Sequence, residues 1–361
     1  MGRVLIVKFG AIGDVVMAIP AAFEMHRAGH EIDWVCGMQV LSLLRLYPWI
    51  RPIAVEERAL FGRSVVERVR ALAGIWRQVA GRRYELCAIL YYDRRYRVVG
   101  LPVRAKRRVT LSHTDRRRRL MPGRHHTDEY LRVMLGRDEG PVTVGLAPVR
   151  PESLPSGPLP RAEAREQVLL VPGGARNAMR DDGLRRWPVA SYVAVASRLL
   201  ELGLEVALVG GPDDGWAAEA FAGLGVRDEI GRLTLVETLA LMEASGVVVT
   251  HDTGPLHLAG ITSVGIVSIF GPTDPRGRLP QRAGAVAMWG GEGFACRPCY
   301  DGREYAPCRE NACVRQVTPE MVVSEVEQML AGRRAGVVMA TRVATPVSTV
   351  TAGLEMWRLK G

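Results

Sequence analysis

Long hydrophobic runs are absent from this 361-residue chain, and aromatic residues make up only 6% of it. The longest uncharged stretch, Leu258–Thr273, is interrupted by Gly, Ser and Pro, so no segment reaches the roughly 20 apolar residues that a membrane span needs. Only the short apolar run Val4–Val7 precedes Lys8, which is too little for the core of a signal peptide. We therefore expect a cytoplasmic protein.

Acidic residues are too few to balance the basic ones, because 48 Lys and Arg stand against 38 Asp and Glu. The excess is concentrated in a basic stretch between Asp93 and Arg124. Its basic residues are Arg94, Arg95, Arg97, Arg104, Lys106, Arg107, Arg108, Arg116, Arg117, Arg118, Arg119 and Arg124. Such a stretch either attracts phosphate-rich partners or is a solvated arginine-rich surface. No aromatic interleaving or nucleic-acid-binding motif accompanies it, so we expect no nucleic acid partner.

Short apolar runs alternate with amphipathic segments along the whole chain, which is typical of βαβ units. The predicted strands of the first half are Val4–Lys8, Glu31–Val35, Leu86–Leu90 and Arg108–Leu111. The predicted helices there are Asp14–Ala28, with a kink at Pro20, and Ser64–Gly81. The pattern restarts with strands at 168–171 and 205–211 and a helix at 190–202.

This pattern predicts an α/β protein made of two Rossmann-like domains, whose parallel sheets face a central cleft. The predicted N-terminal domain comprises residues 1–150, and a Pro-rich linker follows at 151–166. The predicted C-terminal domain comprises residues 167–332, and residues 333–361 form a C-terminal tail.

The segment Val247–Pro275 predicts a strand, an Asp-Thr-Gly-Pro turn, a short helix, a second strand and a Gly-Pro-Thr-Asp-Pro loop. A turn that leads into a helix offers unpaired backbone N–H groups and the positive end of the helix dipole, which together bind phosphate. The polar residues follow a strand, where open α/β sheets bind their ligands. A substrate that carries a diphosphate is the first hypothesis.

The first predicted strand continues into the sequence FGAIGDVVMAIPAA. Gly10 and Gly13 permit a tight turn between strand and helix, and Asp14 falls where the helix starts. Its carboxylate serves either as a helix cap or as a base that takes a proton from an acceptor hydroxyl. Asp33 would suit the ribose of a dinucleotide, but the spacing Gly10-x-x-Gly13 lacks the GxGxxG pattern.

The second half begins with a strand that leads into a Gly-Gly turn and a run of cationic side chains. The cations before the Trp-Pro pair are Arg176, Arg180, Arg185 and Arg186. Guanidinium groups near such a turn neutralise a diphosphate leaving group, although one or two of them can simply be solvated.

Several segments, in this order and spacing, resemble glycosyltransferase family 9, the ADP-heptose:lipopolysaccharide heptosyltransferases. They are VLIVKFGAIGDVVMAIPA, PGGARNAMRDDGLRRWP, LVGGPDD, THDTGPLHLAG and IFGPTDP. The resemblance extends over residues 3–330. It implies a GT-B fold and an inverting, metal-independent transfer of heptose from ADP-heptose to the lipopolysaccharide inner core. It also implies that the N-terminal domain binds the acceptor and the C-terminal domain binds the nucleotide sugar.

The resemblance suggests roles for individual residues. Asp14 matches the family's general base, and Arg185 stands where the family usually has a Lys that stabilises the departing ADP. Asp252 matches the residue that holds sugar hydroxyls, and the backbone at Leu233 falls where adenine is bound. The residues assigned to donor binding are Gly13, Gly173, Arg176, Asp213, Leu233, Asp252, Thr253, Gly254 and His257. For ribose Asp214 is the alternative to Asp213, and His257 can instead be a core residue.

Four of the six cysteines follow the pattern Cys296-x2-Cys299-x8-Cys308-x4-Cys313. In a cytosolic protein this spacing favours a structural tetrathiolate site, with zinc as the default metal and iron as the alternative. Reduced, metal-free thiols are the other interpretation. Similar clusters occur in part of the family, and related protein heptosyltransferases use one to hold iron. No cofactor is expected for catalysis.

The expected partners are an ADP-heptose donor and an anionic lipopolysaccharide core acceptor. Because the basic stretch suits phosphates at a membrane surface, we expect peripheral contact with the inner membrane. Three alternatives stay open. The chain could be a protein O-heptosyltransferase of the same family, an NAD-dependent oxidoreductase that uses Asp33, or a non-catalytic nucleotide-sugar-binding protein.

Overall fold

The computed structural model describes residues 2–138, 145–154, 166–177, 180–302, 304–308, 310–337 and 339–346. Most of the predicted linker and the end of the predicted tail lie outside these ranges. The chain divides into two compact units, residues 1–153 and 154–361. Within the described ranges, no helix is both long and apolar enough to cross a membrane.

The first unit contains a five-stranded sheet with the order β3-β2-β1-β4-β5. Every pair of neighbouring strands is parallel. The strands are β1 Arg3–Val7, β2 Glu31–Gly37, β3 Ile50–Val55, β4 Arg83–Ile89 and β5 Arg104–Thr110. The α-helices are α1 Ile12–Arg27, α2 Met38–Leu44, α3 Glu57–Phe61, α4 Val65–Val79 and α5 His126–Leu135. This strand order is that of a Rossmann-type sheet.

Strand β3 is absent from the prediction, because Arg51 and Pro52 interrupt its apolar pattern. Proline lacks a backbone donor and is tolerated in a strand at the edge of a sheet, which is where β3 lies. Helix α1 continues through the buried Pro20, so this proline does not end the helix. Helix α4 begins after Ser64, whose side chain accepts a hydrogen bond from the Glu67 amide and caps it.

The second unit contains a seven-stranded parallel sheet with the order β10-β9-β6-β11-β12-β13-β14. Its strands are β6 Val168–Leu170, β9 Val206–Leu208, β10 Arg227–Asp228, β11 Val247–His251, β12 Gly265–Phe270, β13 Ala285–Trp289 and β14 Arg342–Ala344. A separate antiparallel pair is formed by β7 Arg176–Asn177 and β8 Arg180–Asp181. Strand β14, which lies within the predicted tail, forms an edge of the second sheet.

Helices and buried apolar side chains complete the second unit. Its α-helices are α6 Val189–Glu201, α7 Leu235–Ala244, α8 Gly254–Gly260, α9 Ala312–Arg315 and α10 Pro319–Arg334. Strands β6, β11 and β12 are buried along their whole length, as expected for inner strands that helices cover on both faces. The predicted α/β class with two parallel-sheet domains is confirmed.

Candidate functional site

The turn that follows β1 carries Asp14 into the first turn of α1. Ala11 occupies the N-cap position, and no side chain caps the helix there, so the interpretation of Asp14 as a cap is wrong. The Asp14 carboxylate instead accepts a hydrogen bond from Lys8 Nζ at 2.9 Å. The side chain of Lys8 is 4% exposed and that of Asp14 is 34% exposed. A buried cation therefore holds a carboxylate that is partly open to solvent.

Tyr91 fixes the turn that precedes Asp14. Its hydroxyl accepts hydrogen bonds from the amides of Phe9 and Gly10, at 2.9 and 3.0 Å, and donates to the Gly10 carbonyl at 2.6 Å. Its ring lies 4.3 Å from Lys8 Nζ and stacks on Tyr96. Burial raises the pKa of the Tyr91 hydroxyl well above its usual value, so it stays protonated and can donate. No sequence signal pointed to Tyr91, and Lys8 was recognised only as the end of a strand.

Asp33 is bound within the first sheet. Its two carboxylate oxygens accept hydrogen bonds from Nε and Nη2 of Arg51, each at 2.7 Å, and from the Tyr84 hydroxyl at 2.7 Å. Burial by itself would raise the pKa of Asp33, but Arg51 and Tyr84 hold it below its usual value. A buried carboxylate with these partners is poorly placed to bind the ribose of a dinucleotide. The oxidoreductase interpretation required Asp33 to bind ribose, and the structure does not support that role.

In the second unit, Asp252 follows β11 directly and lies in a buried cluster of charged side chains. Its Oδ2 atom lies 3.4 Å from Arg185 Nη1 and 3.6 Å from Arg278 Nε. Arg185 also pairs through Nη2 with Asp182. Among the described residues, no donor meets hydrogen-bond geometry at the second carboxylate oxygen of Asp252, although the Thr273 hydroxyl is near enough to lower the pKa of this carboxyl. A buried acceptor without a partner is costly in a folded protein, and a ligand hydroxyl could satisfy it.

The members of this cluster hold one another in their charged forms. Burial alone would raise the pKa of Asp252, but Arg278, Arg185 and His257 together lower it. Burial alone would lower the pKa of Arg185, but Asp252, followed by Tyr305 and Asp182, raises it. Sequence reasoning predicted Asp252 and Arg185 and missed Arg278 and Asp182. Asp182 could have been suspected, since it lies within the arginine-rich motif.

The Gly-Gly turn after β6 is bound to the loop after β9 by Asp214. Its two oxygens accept hydrogen bonds from the amides of Gly174 at 2.7 Å and Gly211 at 2.8 Å. A Cβ atom at Gly173 would lie 2.4 Å from the Asp214 carboxylate, so only glycine fits. Asp213 is exposed. Of the two candidates for this loop, Asp214 is therefore the one that contacts the turn.

Thr253 connects the same turn to the segment after β11. Its hydroxyl accepts a hydrogen bond from the Ala175 amide at 2.7 Å and does not cap α8. Gly174 has φ +81°, and a Cβ atom there would lie 2.4 Å from the Thr253 hydroxyl. The Gly-Gly turn and the Asp-Thr-Gly-Pro turn, predicted separately, are therefore in contact.

The other predicted donor residues differ in their surroundings. Gly13 is buried in α1. In α8, His257 is buried and Gly254 is half-buried. Leu233 is half-buried just before the N-cap of α7. Arg176 is exposed in β7, and the side chain of Arg180 lies outside the described part of the chain.

The four clustered cysteines lie between β13 and α10, and all are free thiols. Cys296 and Cys308 are exposed, whereas Cys299 and Cys313 are half-buried. Burial raises the pKa of the Cys313 thiol to about 11, and the other three cysteines contribute to the shift. Within the described ranges, however, no group of three or more Cys, His, Asp or Glu side chains could hold a metal ion. The residues present do not fit the predicted tetrathiolate metal, which is not supported.

Comparisons with known proteins agree with this architecture. A model of the family described as "Glycosyltransferase family 9 (heptosyltransferase)" matches residues 160–308. Lipopolysaccharide heptosyltransferase 1 of Pseudomonas aeruginosa is 26% identical over 91% of this chain and 98% of its own length.

Two solved structures share the fold. One is a family 9 glycosyltransferase from Veillonella parvula, with TM-score 0.68 and 20% identity over 91% of this chain and 97% of that chain. The other is the ADP-heptose LPS heptosyltransferase II of E. coli, with TM-score 0.66 and 19% identity over 92% of this chain and 99% of that chain.

The two parallel-sheet domains share the GT-B fold of these solved structures, and polar residues follow the ends of β1, β6 and β11. The motifs, the family model over residues 160–308 and the relatives agree in one respect. The chain is similar to glycosyltransferase family 9.

Proposed function

We propose that this protein transfers heptose from ADP-heptose to the inner core of lipopolysaccharide, with inversion at the anomeric carbon. Asp14 takes the proton of the acceptor hydroxyl, and the resulting oxygen nucleophile attacks from the face opposite the leaving group. The bond to the ADP oxygen breaks, and negative charge develops on the departing diphosphate. Cationic side chains in the second domain stabilise that charge.

The observation that carries this proposal is the Asp14 carboxylate held by Lys8. A base needs an ionised carboxylate within reach of substrate, and the partly exposed Asp14 paired with a buried ammonium meets both needs. It also lies in the motif that first indicated the family. The full-length similarity to a lipopolysaccharide heptosyltransferase supports the same assignment.

The donor is proposed to bind in the second domain. The open oxygen of Asp252 accepts a sugar hydroxyl, and Arg185 and Arg278 supply positive charge beside it. Thr253, Gly254 and His257 line the diphosphate at the start of α8, and Gly173 lets the backbone approach it. On the nucleotide side, Leu233 is assigned to adenine, Asp213 to ribose and Arg176 to the donor. Arg185 supplies positive charge beside the diphosphate, so the proposed transfer needs no metal ion for that role.

The acceptor is proposed to bind the first domain through a basic turn, Arg116–Arg119. The backbone of this turn is anchored by the buried Arg132, which donates to the carbonyls of Arg117 and Arg119. Arg132 pairs in turn with Glu129, and both side chains are fully buried. A fixed turn that presents several guanidinium groups suits an acceptor with phosphates and carboxylates.

The location follows from the proposed acceptor. A lipid-anchored acceptor at the cytoplasmic face of the inner membrane requires an enzyme that is cytoplasmic and peripheral to that membrane. The basic stretch supports such a contact, since anionic headgroups attract clustered arginines. No nucleic acid partner and no catalytic cofactor are part of the proposal.

The proposal is tested by incubating the protein with ADP-heptose and Kdo-lipid A and analysing the mixture by mass spectrometry. Heptosylated lipid and free ADP in equal amounts are expected. ADP release only in the presence of a protein substrate would instead favour the protein O-heptosyltransferase. A protein that binds ADP-heptose and releases no ADP with either acceptor would be a binding protein, and the proposal would be wrong.

A further inference from the structure

A small hairpin lies inside the cysteine-rich segment, between Cys299 and Ala306. Tyr300 and Tyr305 form an antiparallel bridge, and the Ala306 amide donates to the Cys299 carbonyl at 3.1 Å. The two tyrosine rings lie with their centroids 4.8 Å apart. The pairs Cys296–Cys299 and Cys308–Cys313 flank this hairpin in sequence.

Backbone and side-chain hydrogen bonds anchor the cysteine-rich segment to two loops of the proposed donor site. The amides of Cys299 and Tyr300 donate to the Pro272 carbonyl, at 3.0 and 3.1 Å, within the Gly-Pro-Thr-Asp-Pro loop. On the other side, Asn311 Nδ2 donates to the Arg186 carbonyl at 3.1 Å. The cysteine-rich segment is therefore bound to the loop after β12 through the hairpin and to the arginine-rich motif before α6 through Asn311.

The tyrosines of the hairpin face the charged cluster around Asp252. The Arg278 guanidinium lies 5.6 Å from the centre of the Tyr300 ring, and its Nε atom lies 3.6 Å from the Asp252 carboxylate. Tyr305 is close enough to Arg185, Asp182 and Asp252 for all three to affect its pKa, although burial is the largest cause of its rise. An aromatic ring beside a guanidinium restricts its orientation and favours its charge.

We propose that the hairpin Cys299–Ala306 forms a wall of the donor pocket, and that Tyr300 and Tyr305 position the arginines for the sugar diphosphate. Tyr300 holds Arg278 against Asp252, and Tyr305 supports the Tyr300 ring across the hairpin, with the ring centroids 4.8 Å apart. Both are positioning residues, because they act through the arginines. The proposal rests on the proposed function, since it names further residues for the same donor site.

Binding of two nucleotides, measured by calorimetry, tests this proposal. ADP-heptose carries the diphosphate and the sugar that the cluster would contact, whereas AMP carries neither. We compare wild type with Tyr300→Leu, Tyr300→Phe and Tyr305→Phe. Phe294→Leu is the matched control, because it changes a partly exposed aromatic residue of the same segment outside the hairpin.

Tyr300→Leu removes the ring from Arg278 and is expected to weaken ADP-heptose binding by roughly three- to tenfold while leaving AMP binding unchanged. Tyr300→Phe keeps the ring and should bind like wild type, as should Phe294→Leu. Tyr305→Phe keeps the ring that packs on Tyr300 and removes a hydroxyl that interacts electrostatically with Arg185, so it should also weaken ADP-heptose selectively.

Equal weakening of AMP and ADP-heptose in Tyr300→Leu would indicate a general structural role and overturn the proposal. Unchanged binding of both nucleotides by Tyr300→Leu and Tyr305→Phe would also overturn it, while the proposed function would stand. A wild-type protein that does not bind ADP-heptose would instead remove the proposed function, and this inference with it.

Discussion

Lys8 and Asp14 combine a buried cation with a carboxylate that is partly open to solvent. The pair is built from adjacent elements, with Lys8 just after β1 and Asp14 in the first turn of α1. Lys8 Nζ also donates to the Leu90 carbonyl at 3.2 Å, and its position over Tyr91 further restricts it. The ammonium is therefore fixed in place and orients the carboxylate without covering it.

The first residue-scale prediction concerns the base itself. Asp14→Asn keeps the shape of the side chain but cannot accept the acceptor's proton. We expect kcat to fall by roughly 10²- to 10⁴-fold, while ADP binding by the second domain stays at its wild-type value. Single-turnover kinetics and calorimetry measure the two quantities. Undiminished turnover would refute the assignment of Asp14 as base.

The second residue-scale prediction concerns the cation. Lys8→Met keeps the buried aliphatic volume and removes the cation that holds the Asp14 carboxylate. We expect kcat to fall on the order of tenfold, because the base is no longer oriented. Lys106→Met is the control, because Lys106 pairs with Glu85 on the exposed edge of the same sheet. An undiminished kcat in Lys8→Met would show that this ammonium does not orient the base.

At the scale of elements, β11 brings a buried histidine next to the charged cluster around Asp252. His251 is the last residue of the strand, and its Nδ1 atom lies 3.0 Å from the Tyr192 hydroxyl. Burial, followed by the nearby Arg185, lowers the pKa of His251 to about 3. The imidazole is therefore neutral throughout the physiological pH range.

This shift predicts a pH dependence of stability. The unfolded chain binds a proton at this histidine below about pH 6.5, and the folded domain does so only near pH 3. The contribution of His251 to the free energy of unfolding is therefore fully present above pH 6.5. It falls by up to about 1.4 kcal/mol per pH unit as the pH decreases towards 3.

His251→Asn keeps an acceptor for Tyr192 and removes the titration. Chemical denaturation at pH 7 and pH 5 should show a smaller loss of stability for this variant than for wild type. His26→Asn, in the half-buried last turn of α1, is the control and should follow the wild-type curve. Equal losses in wild type and His251→Asn would contradict the prediction.

Elements with unbroken apolar runs could be predicted from the sequence, and β1 and β11 were found within a residue or two of their observed bounds. Strand β3 could not be predicted, because proline is unfavourable in a central strand. Pro52 is compatible with β3 only because this strand lies at the edge of the sheet. Likewise, no spacing rule chooses between the adjacent Asp213 and Asp214. The backbone conformation points Asp214 at the Gly174 amide, which leaves the exposed Asp213 as the candidate for ribose.

The candidate site could also be predicted only in part from the sequence. Asp252 and Arg185 lie in motifs with a recognisable spacing, so the sequence pointed to both. Arg278 lies beyond the Gly-Pro-Thr-Asp-Pro loop and reaches Asp252 only through the path of that loop. The cysteine spacing suggested a metal, but thiol spacing alone does not bring side chains within ligand distance of one ion.

At the scale of the whole molecule, the net charge of +10 is largely a property of the first domain's basic stretch. Some of its guanidinium groups are already paired, since Arg117 lies 2.9 Å from Asp138 and Arg118 lies 2.6 Å from Asp115. These pairs are exposed and contribute little to stability, so an anionic acceptor can displace them at small cost.

The whole-molecule prediction is that the basic turn Arg116–Arg119 affects the KM for the acceptor and not the KM for the donor. Reversing the charge of Arg116 and Arg117 to Glu should raise the acceptor KM on the order of tenfold and leave the donor KM unchanged. Arg198→Glu, on the exposed face of α6 in the second domain, is the control. An equal rise of both KM values would mean that the basic turn does not bind the acceptor.

The central claim is that a base in the first domain drives an inverting transfer from a nucleotide sugar. The most direct measurement is the anomeric configuration of the product, read by NMR from the one-bond carbon–hydrogen coupling after transfer from ¹³C-labelled ADP-heptose to Kdo-lipid A. We predict a heptosyl linkage whose configuration is inverted relative to the donor and whose formation is lost in Asp14→Asn. A retained configuration, or the same inverted product formed at the wild-type rate by Asp14→Asn, would contradict the account.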